Sequence, residues 1–126
     1  MALDVPPDPV VIAGDPVRLE QAVVNLVQNA AKHTLAGGRI LVGLTRGDSD
    51  AVVSVRDTGS GINAAFLQHV FEPFAQAGPT ADHGVGLGLA IVRAVVVLHG
   101  GRIEAYSEGG GRGAEFVMRL PTASGR

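Results

Sequence analysis

The stretch Leu19–Thr34, LEQAVVNLVQNAAKHT, predicts the helix around which the rest of the chain is arranged. Its apolar side chains recur at spacings of three and four residues, which is the pattern of an amphipathic helix with one buried face. These positions are Leu19, Ala22, Val23, Leu26, Val27, Ala30 and Ala31. Asp15 and Pro16 come shortly before the stretch, and both residue types are favoured at a helix N-terminus. We therefore expect the helix to begin near one of them and to end at about Thr34.

The opposite face of this helix is polar and contains two asparagines. At about 100° per residue, Asn25 and Asn29 lie roughly 40° apart, and Lys32 follows about one turn later. Asparagine forms helices poorly, and a solvated helix face more often contains Glu, Lys, Gln or Arg. This helix alone supports two interpretations equally. The face is either a polar surface stripe or a site that presents amide oxygens and a cation to a ligand.

The composition indicates a folded domain and excludes several classes of function. A chain of 126 residues, 46% hydrophobic and 17% charged, suits one domain with a buried core. A formal net charge of -2 gives no electrostatic footprint for nucleic acid. The absence of cysteine excludes a disulfide framework and a cysteine-based zinc site. No apolar run reaches the roughly 18 residues that span a bilayer. We expect a cytoplasmic domain without direct membrane contact, and the membrane topology of a longer parent protein stays open.

The other elements are predicted from hydrophobic runs and the turn residues between them. They are a linker at Met1–Pro9, strands at Val10–Ala13, Arg39–Arg46 and Ala51–Arg56, a short helix at Asn63–Val70, a loop at Ala75–His83, a helix at Ala90–Leu98, strands at Arg102–Ser107 and Ala114–Leu120, and a tail at Thr122–Arg126. The helix that ends at Leu98 is apolar on most sides and should be largely buried. A hairpin between helices excludes a purely alternating parallel arrangement, so we predict an α+β two-layer sandwich with a mixed sheet, as one domain over residues 10–121.

Two glycine-rich segments are candidates for ligand contact. Gly84, Gly86 and Gly88 come directly before a helix, where free backbone N–H groups and the helix dipole favour phosphate. Asp57 ends a strand before a glycine-rich turn. Its carboxylate could accept a hydrogen bond from an exocyclic amine or could simply close an Asx turn.

These glycine segments contain no cation of their own. Between Arg56 and Arg93 there is no Lys or Arg. A polyphosphate bound there would need backbone N–H groups, a metal ion and Lys32 to balance its charge. Mg2+ prefers oxygen ligands and keeps several waters, so one amide oxygen and the phosphate oxygens would hold it. This favours the ligand interpretation of the asparagine face.

The chain resembles the catalytic, ATP-binding domain of bacterial sensor histidine kinases, within the superfamily that includes gyrase, Hsp90 and MutL. Motifs across residues 10–121 carry the resemblance. They are an Asn box at Asn25–Thr34 with Asp15, Arg18 and Leu19 upstream, a first glycine box at Asp57–Ile62, a Phe box at Phe71–Phe74, a second glycine box at Gly84–Leu89, then His99–Gly101, and a closing segment from Gly113 to Pro121. The resemblance implies a Bergerat-type ATP-binding fold, with a mostly antiparallel mixed sheet covered on one face by three helices.

The resemblance also implies site residues for ATP and Mg2+. It gives Asn25, Asn29 and Lys32 the catalytic positions, with Asn29 as the metal ligand. Asp57 would accept the adenine amino group, with Gly59 and Gly61 allowing the base to approach closely. The remaining implied nucleotide contacts are His33, Ile62, Phe74, Gly84, Val85, Gly86, Leu87, Gly88, Leu89 and Ala114.

The implied activity is that of a protein-histidine kinase, in which a separate helical domain supplies the phosphorylated histidine. None of His33, His69, His83 and His99 lies in a phosphoacceptor context. The implied partners are the dimerisation and phosphoacceptor domain of the same kinase and, downstream, a response-regulator receiver domain. Little activity is expected from the domain alone. Phe71 and Phe74 are expected to be core anchors rather than base-stacking groups.

Two departures from the family pattern keep other functions open, and a third favours phosphotransfer over hydrolysis. Many relatives have Thr or Ser in place of Ala114, and many lids contain Arg or Lys where this one offers Asp82 and His83. The ATP-hydrolysing cousins place a Glu base where this chain has Asn25, so phosphotransfer is favoured over hydrolysis. The alternatives are a non-catalytic nucleotide-sensing or docking module of the same fold, and an anti-sigma-type serine kinase.

Overall fold

The computed structural model describes residues 2–4, 12–34, 37–72 and 88–122. Within these ranges there are five strands and three helices. They are β1 (Ala2–Asp4), α1 (Pro16–His33), β2 (Ile40–Arg46), β3 (Asp50–Asp57), α2 (Ala64–Leu67), α3 (Gly88–Leu98), β4 (Arg102–Tyr106) and β5 (Ala114–Pro121).

The strands form one mixed sheet in the order β1-β2-β3-β5-β4. β1 is parallel to β2, and the other three pairings are antiparallel. The hairpin of β2 and β3 pairs Ile40 with Asp57, and β5 pairs Ala114 with the same Asp57 on its other side. The predicted hairpin and the mixed, mostly antiparallel sheet are therefore confirmed. The register places the end of β3 between the start of β2 and the start of β5.

Helix α1 begins and ends where its capping residues predict. The Asp15 carboxylate accepts hydrogen bonds from the backbone N–H groups of Val17 and Arg18, at 3.0 and 3.3 Å, and Pro16 occupies the first turn. This is the usual way to satisfy backbone donors that have no partner within the helix. Thr34 is the C-cap.

The core lies between the helices and one face of the sheet. Among the described residues, its fully buried members from α1 are Ala22, Leu26 and Ala30, those from α3 are Val92 and Val96, and those from the sheet include Val55, Phe116, Met118 and Leu120. Phe71 packs its ring edge-on against Phe116, with 5.9 Å between centroids, so its predicted role as a core anchor is confirmed. Together these contacts confirm the predicted two-layer sandwich.

Helices α1 and α3 run antiparallel, as two contacts show. Asn25 contacts Gly88 at the start of α3, and Asp15 contacts His99 at its end. The prediction that α3 is largely buried is wrong, because Leu98 is 77% and Val97 is 58% exposed. The sheet covers only one side of the helix. None of the helices in the described ranges is long and apolar enough to cross a membrane.

The ends of the chain differ from the sequence-based expectation. Val10 and Val11 of the predicted first strand lie outside the described residues, and Ile12 and Ala13 are not in a strand. The strand that pairs with the edge of β2 is instead β1, within the segment expected to be a linker. Thr122, assigned to the tail, is buried, and its N–H donates to the Ser49 carbonyl at 3.1 Å.

The short second helix is shorter than expected. The sequence predicts a helix over Asn63–Val70, whereas α2 spans Ala64–Leu67 and continues as turns. Asn63 is its N-cap and accepts hydrogen bonds from the N–H groups of Ala65 and Phe66. Its polar side chain therefore stays outside the helix.

Candidate nucleotide-binding site

The asparagine face of α1 lies beside the start of α3. The Asn25 side-chain amide donates to the Gly88 carbonyl at 3.4 Å, and the side chain is half-buried. Asn29, one turn further along the same face, is also half-buried. The first turn of α3, where the predicted phosphate-binding segment ends, is thus held next to the polar face. Asn25 and Asn29 are therefore not fully exposed, as the side chains of a polar surface stripe would be.

The C-terminal end of α1 packs directly on the glycine loop, by which we mean Asp57–Ile62. The Ser60 N–H donates to the His33 carbonyl at 2.9 Å. A Cβ atom added at Gly59 would overlap that carbonyl, so only glycine allows this approach. The backbone at the end of the Asn box and the first glycine box are therefore in van der Waals contact.

Asp57 is a buried carboxylate at the centre of this edge of the sheet. It is 5% exposed, and its Oδ1 accepts a hydrogen bond from the Gly59 N–H at 2.8 Å. This confirms the Asx-turn interpretation for one oxygen. A carboxylate can accept several hydrogen bonds, so Oδ2 is the atom available for an exocyclic amine. The role in adenine recognition stays a prediction.

Several other predicted site residues lie within the described ranges. Ala114 is the direct cross-strand partner of Asp57 in β5 and is half-buried. Ile62 and Leu89 are partly buried and pack against the core. A Cβ added at Gly88 would meet no described heavy atom within 4 Å, so packing does not require glycine there.

Some predicted residues can be placed only partly or not at all. Lys32 and His33 are exposed in the last turn of α1. The predicted contacts Phe74, Gly84, Val85, Gly86 and Leu87 lie outside the described residues, as does the predicted lid, Ala75–His83.

Two polar residues support the glycine loop in ways that the sequence does not predict. The Thr58 hydroxyl accepts from the Arg39 N–H at 2.9 Å, which fixes the loop to the start of β2. The Ser107 hydroxyl accepts from the Ile62 N–H at 2.9 Å, across 45 residues of sequence. Both are ordinary Ser or Thr residues at strand ends. Their only sequence signal is their position next to a glycine-rich turn.

Two of the histidines have structural partners. His69 and Glu72 form a surface pair, with 2.6 Å between Nδ1 and a carboxylate oxygen. The His99 ring connects the end of α3 to the start of α1, because Nε2 accepts from the Asp15 N–H while Nδ1 contacts the Val95 carbonyl of its own helix. Within the described ranges, no group of three or more His, Cys, Asp or Glu side chains could hold a metal ion. A metal there would need amide, phosphate and water oxygens.

Comparison with known proteins agrees with this geometry. The profile of the family described as histidine kinase-, DNA gyrase B-, and HSP90-like ATPase matches residues 14–124. The probable sensor histidine kinase TcrY of Mycobacterium tuberculosis is 46% identical over 123 residues, which are 95% of this chain and 26% of TcrY. The sensor histidine kinase RcsC of Escherichia coli strain K12 is 41% identical over 120 residues, or 92% of this chain and 12% of RcsC. The chain thus spans about a quarter of TcrY and less of RcsC.

Solved structures show the same fold. The mycobacterial sensor histidine kinase MprB superposes with a TM-score of 0.83 at 34% identity, over 96% of this chain and 83% of that one. Full-length ShkA in complex with AMPPNP superposes with a TM-score of 0.83 at 35% identity, over 97% of this chain and 25% of that one. The chain therefore belongs to the histidine kinase-, DNA gyrase B- and HSP90-like ATPase family, as a histidine kinase ATP-binding catalytic domain.

Proposed function

We propose that this domain binds Mg-ATP and donates the γ-phosphate to a histidine on a separate dimerisation domain of the same kinase. The observation that carries the proposal is a set of contacts that connects α1, the start of α3, the glycine loop and Ala114. Asn25 reaches the start of α3, the end of α1 contacts Gly59, and Asp57 lies opposite Ala114. In this arrangement the adenine base of the nucleotide would lie near Asp57, and its phosphates would lie near Asn29.

The donor set fits one hard cation held mainly by its nucleotide. Asn29 supplies a half-buried amide oxygen, which is a suitable ligand for Mg2+. Carboxylate and histidine clusters are absent from the described residues, so phosphate oxygens and water would complete the coordination. The bound ion would neutralise charge on the phosphates. Asn29 would orient it from α1, and Lys32 would add a positive charge at the end of that helix.

The residues on α1 favour transfer to a protein acceptor over hydrolysis. Asn25 cannot accept a proton at neutral pH, and its amide already donates to the Gly88 carbonyl. A water molecule near the γ-phosphate would therefore find no general base at position 25, where the ATP-hydrolysing relatives place a Glu. Catalysis would come from positioning the phosphate and balancing its charge, while the acceptor histidine acts as the nucleophile.

The partner surface would include the exposed apolar ends of the α1–α3 pair. Val17 is 72% and Leu98 is 77% exposed, at the end where Asp15 contacts His99. Exposed apolar side chains on adjacent helices suit a helical partner. We place the domain in the cytoplasm, where ATP is available, and a response-regulator receiver domain would receive the phosphate from the partner's histidine.

The first experiment measures nucleotide binding by isothermal titration of ATP and ADP with Mg2+. The native chain should bind, and Asn29→Ala should bind at least about tenfold more weakly, as expected for loss of one ligand to a charged group. Gln28→Ala is the matched control, because Gln28 is an exposed amide one residue away on the same helix. A folded native chain that binds neither nucleotide would refute the proposal.

The second experiment tests the reaction. The domain is mixed with its cognate dimerisation domain and ATP labelled at the γ-phosphate. Acid-labile phosphohistidine on the partner is expected. Nucleotide binding without transfer would instead support the non-catalytic sensing module. Ala114, which stands where many relatives have Thr or Ser, motivates that alternative. Acid-stable phosphoserine would indicate the serine-kinase alternative.

A further inference from the structure

Ser107 has a hydroxyl whose hydrogen-bonding capacity is fully used by the backbone around the glycine loop. Its Oγ donates to the Gly113 carbonyl at 2.8 Å and accepts from the N–H groups of Ile62, at 2.9 Å, and Gly109, at 3.3 Å. A hydroxyl has one proton and two acceptor lone pairs, so these three contacts saturate it. The residue is half-buried at the end of β4.

The three partners of Ser107 belong to two different loops. Ile62 ends the glycine loop, whereas Gly109 and Gly113 belong to the β4–β5 turn, by which we mean Ser107–Gly113. The backbones of the two loops are also bonded to each other. The Gly111 N–H donates to the Ser60 carbonyl at 2.6 Å, and the Gly113 N–H donates to the Gly59 carbonyl at 3.2 Å.

The backbones of the two loops approach each other closely at two glycines. A Cβ added at Gly61 would overlap the Gly109 carbonyl, and one added at Gly113 would overlap the Asp57 carbonyl. Both glycines have positive φ angles, +73° and +71°, which other residues rarely adopt. The β4–β5 turn is therefore in direct backbone contact with the segment that presents Asp57.

We propose that Ser107 is a positioning residue for the base end of the nucleotide site. It holds the glycine loop against the β4–β5 turn, and so fixes the direction in which Asp57 points. The proposal rests on the nucleotide-binding function argued above. Ser107 itself is not expected to touch the nucleotide, because its hydroxyl is already saturated by backbone groups.

The test compares Ser107→Ala with Ser107→Thr, which keeps a hydroxyl on Cβ. Affinities for ATP and for GTP are measured by titration with Mg2+, and thermal unfolding is measured without nucleotide. Ser107→Ala should bind ATP about tenfold more weakly, since the Ile62 N–H loses its acceptor. The preference for ATP over GTP should also fall several-fold, because guanine presents a carbonyl where adenine presents its amino group. Ser107→Thr should restore both.

The matched control is Ser54→Ala, the same change on β3. The Ser54 hydroxyl makes no hydrogen bond in the part of the chain that the structure describes, and its variant should keep native affinity and selectivity. A native chain that binds ATP together with a Ser107→Ala variant of unchanged affinity and selectivity would overturn the inference alone. A native chain that does not bind ATP would overturn the proposed function as well.

A measurement on the native chain tests the positioning role of Ser107 even if Ser107→Ala does not fold. ADP with Mg2+ should slow amide hydrogen exchange at Ile62 and Gly109 several-fold, because both donate to the Ser107 hydroxyl. Gly47, in the β2–β3 turn at the other end of β3, should show no change. Unchanged exchange at Ile62 and Gly109 on ADP binding would contradict a coupling through Ser107.

Discussion

Asp57 is a buried carboxylate with one oxygen already bonded to its own loop. Oδ1 accepts from the Gly59 N–H at 2.8 Å, and the residue is 5% exposed. A substitution that keeps Oδ1 as an acceptor should therefore preserve the loop. Asparagine does this, since its amide oxygen can replace Oδ1 while its NH2 group takes the place of Oδ2. The loop contact of Oδ1 and the proposed adenine contact of Oδ2 can thus be tested separately.

We expect Asp57→Asn to fold normally and to lose adenine recognition. An NH2 group facing the amino group of adenine cannot accept its hydrogen bond, so ATP affinity should fall by at least about tenfold, the cost of an unpaired buried donor. Titration with ATP and urea denaturation measure the two effects. Asp48→Asn, at an exposed position of the β2–β3 turn, is the control. Native ATP affinity in Asp57→Asn would contradict this role.

At the scale of elements, side-chain contacts join α1 to both ends of α3. Asn25 donates to the Gly88 carbonyl at one end. At the other, His99 Nε2 accepts from the Asp15 N–H at 3.0 Å, and Nδ1 contacts the Val95 carbonyl at 2.8 Å. In the tautomer that makes both hydrogen bonds, Nε2 is the acceptor and Nδ1–H is the donor. A Cβ at Gly14 would overlap the His99 ring, so the contact between His99 and Asp15 requires glycine at position 14.

Replacing His99 with phenylalanine should destabilise the helix pair. The ring volume stays similar, but the Asp15 N–H and the Val95 carbonyl lose their partner. We expect the free energy of unfolding to fall by about 1–3 kcal/mol. His69→Phe is the control, because its ring pairs with Glu72 on the surface, and such pairs contribute about 0–1 kcal/mol. Urea denaturation of both variants measures the difference, and equal losses would show that His99 does not join the helices.

At the scale of the whole molecule, the sequence predicts those elements whose bounds depend on residues close together in the chain. The bounds of α1 follow from Asp15, Pro16 and a regular apolar spacing, and the β2–β3 hairpin follows from two β-branched runs around a polar turn. The location of the first strand depends on pairing with the edge of β2, far along the chain. No local pattern in Ala2–Asp4 predicts that pairing.

The contacts around the glycine loop show the same limit. The types and spacing of Asp57 and its glycines make them candidates for a site, and the family resemblance implies the adenine role. The Ser107 contact with Ile62 spans 45 residues, and it exists only because β5 places the β4–β5 turn beside the end of β3. The exposure of Leu98 likewise depends on how far the sheet extends beneath α3. Tertiary packing determines both.

Because the proposed site draws on α1, α3 and the sheet, nucleotide binding should stabilise the domain as one unit. At about 100 times the dissociation constant, a ligand that binds only the folded state adds about 2.7 kcal/mol, or an increase in Tm of about 10 °C for a domain of this size. We expect this increase for the native chain and for Gln28→Ala with ADP and Mg2+, measured by differential scanning calorimetry. Asn29→Ala should show a much smaller increase at the same ADP concentration, because its affinity is lower. An equal increase in that variant would mean that the nucleotide is held without the asparagine face of α1.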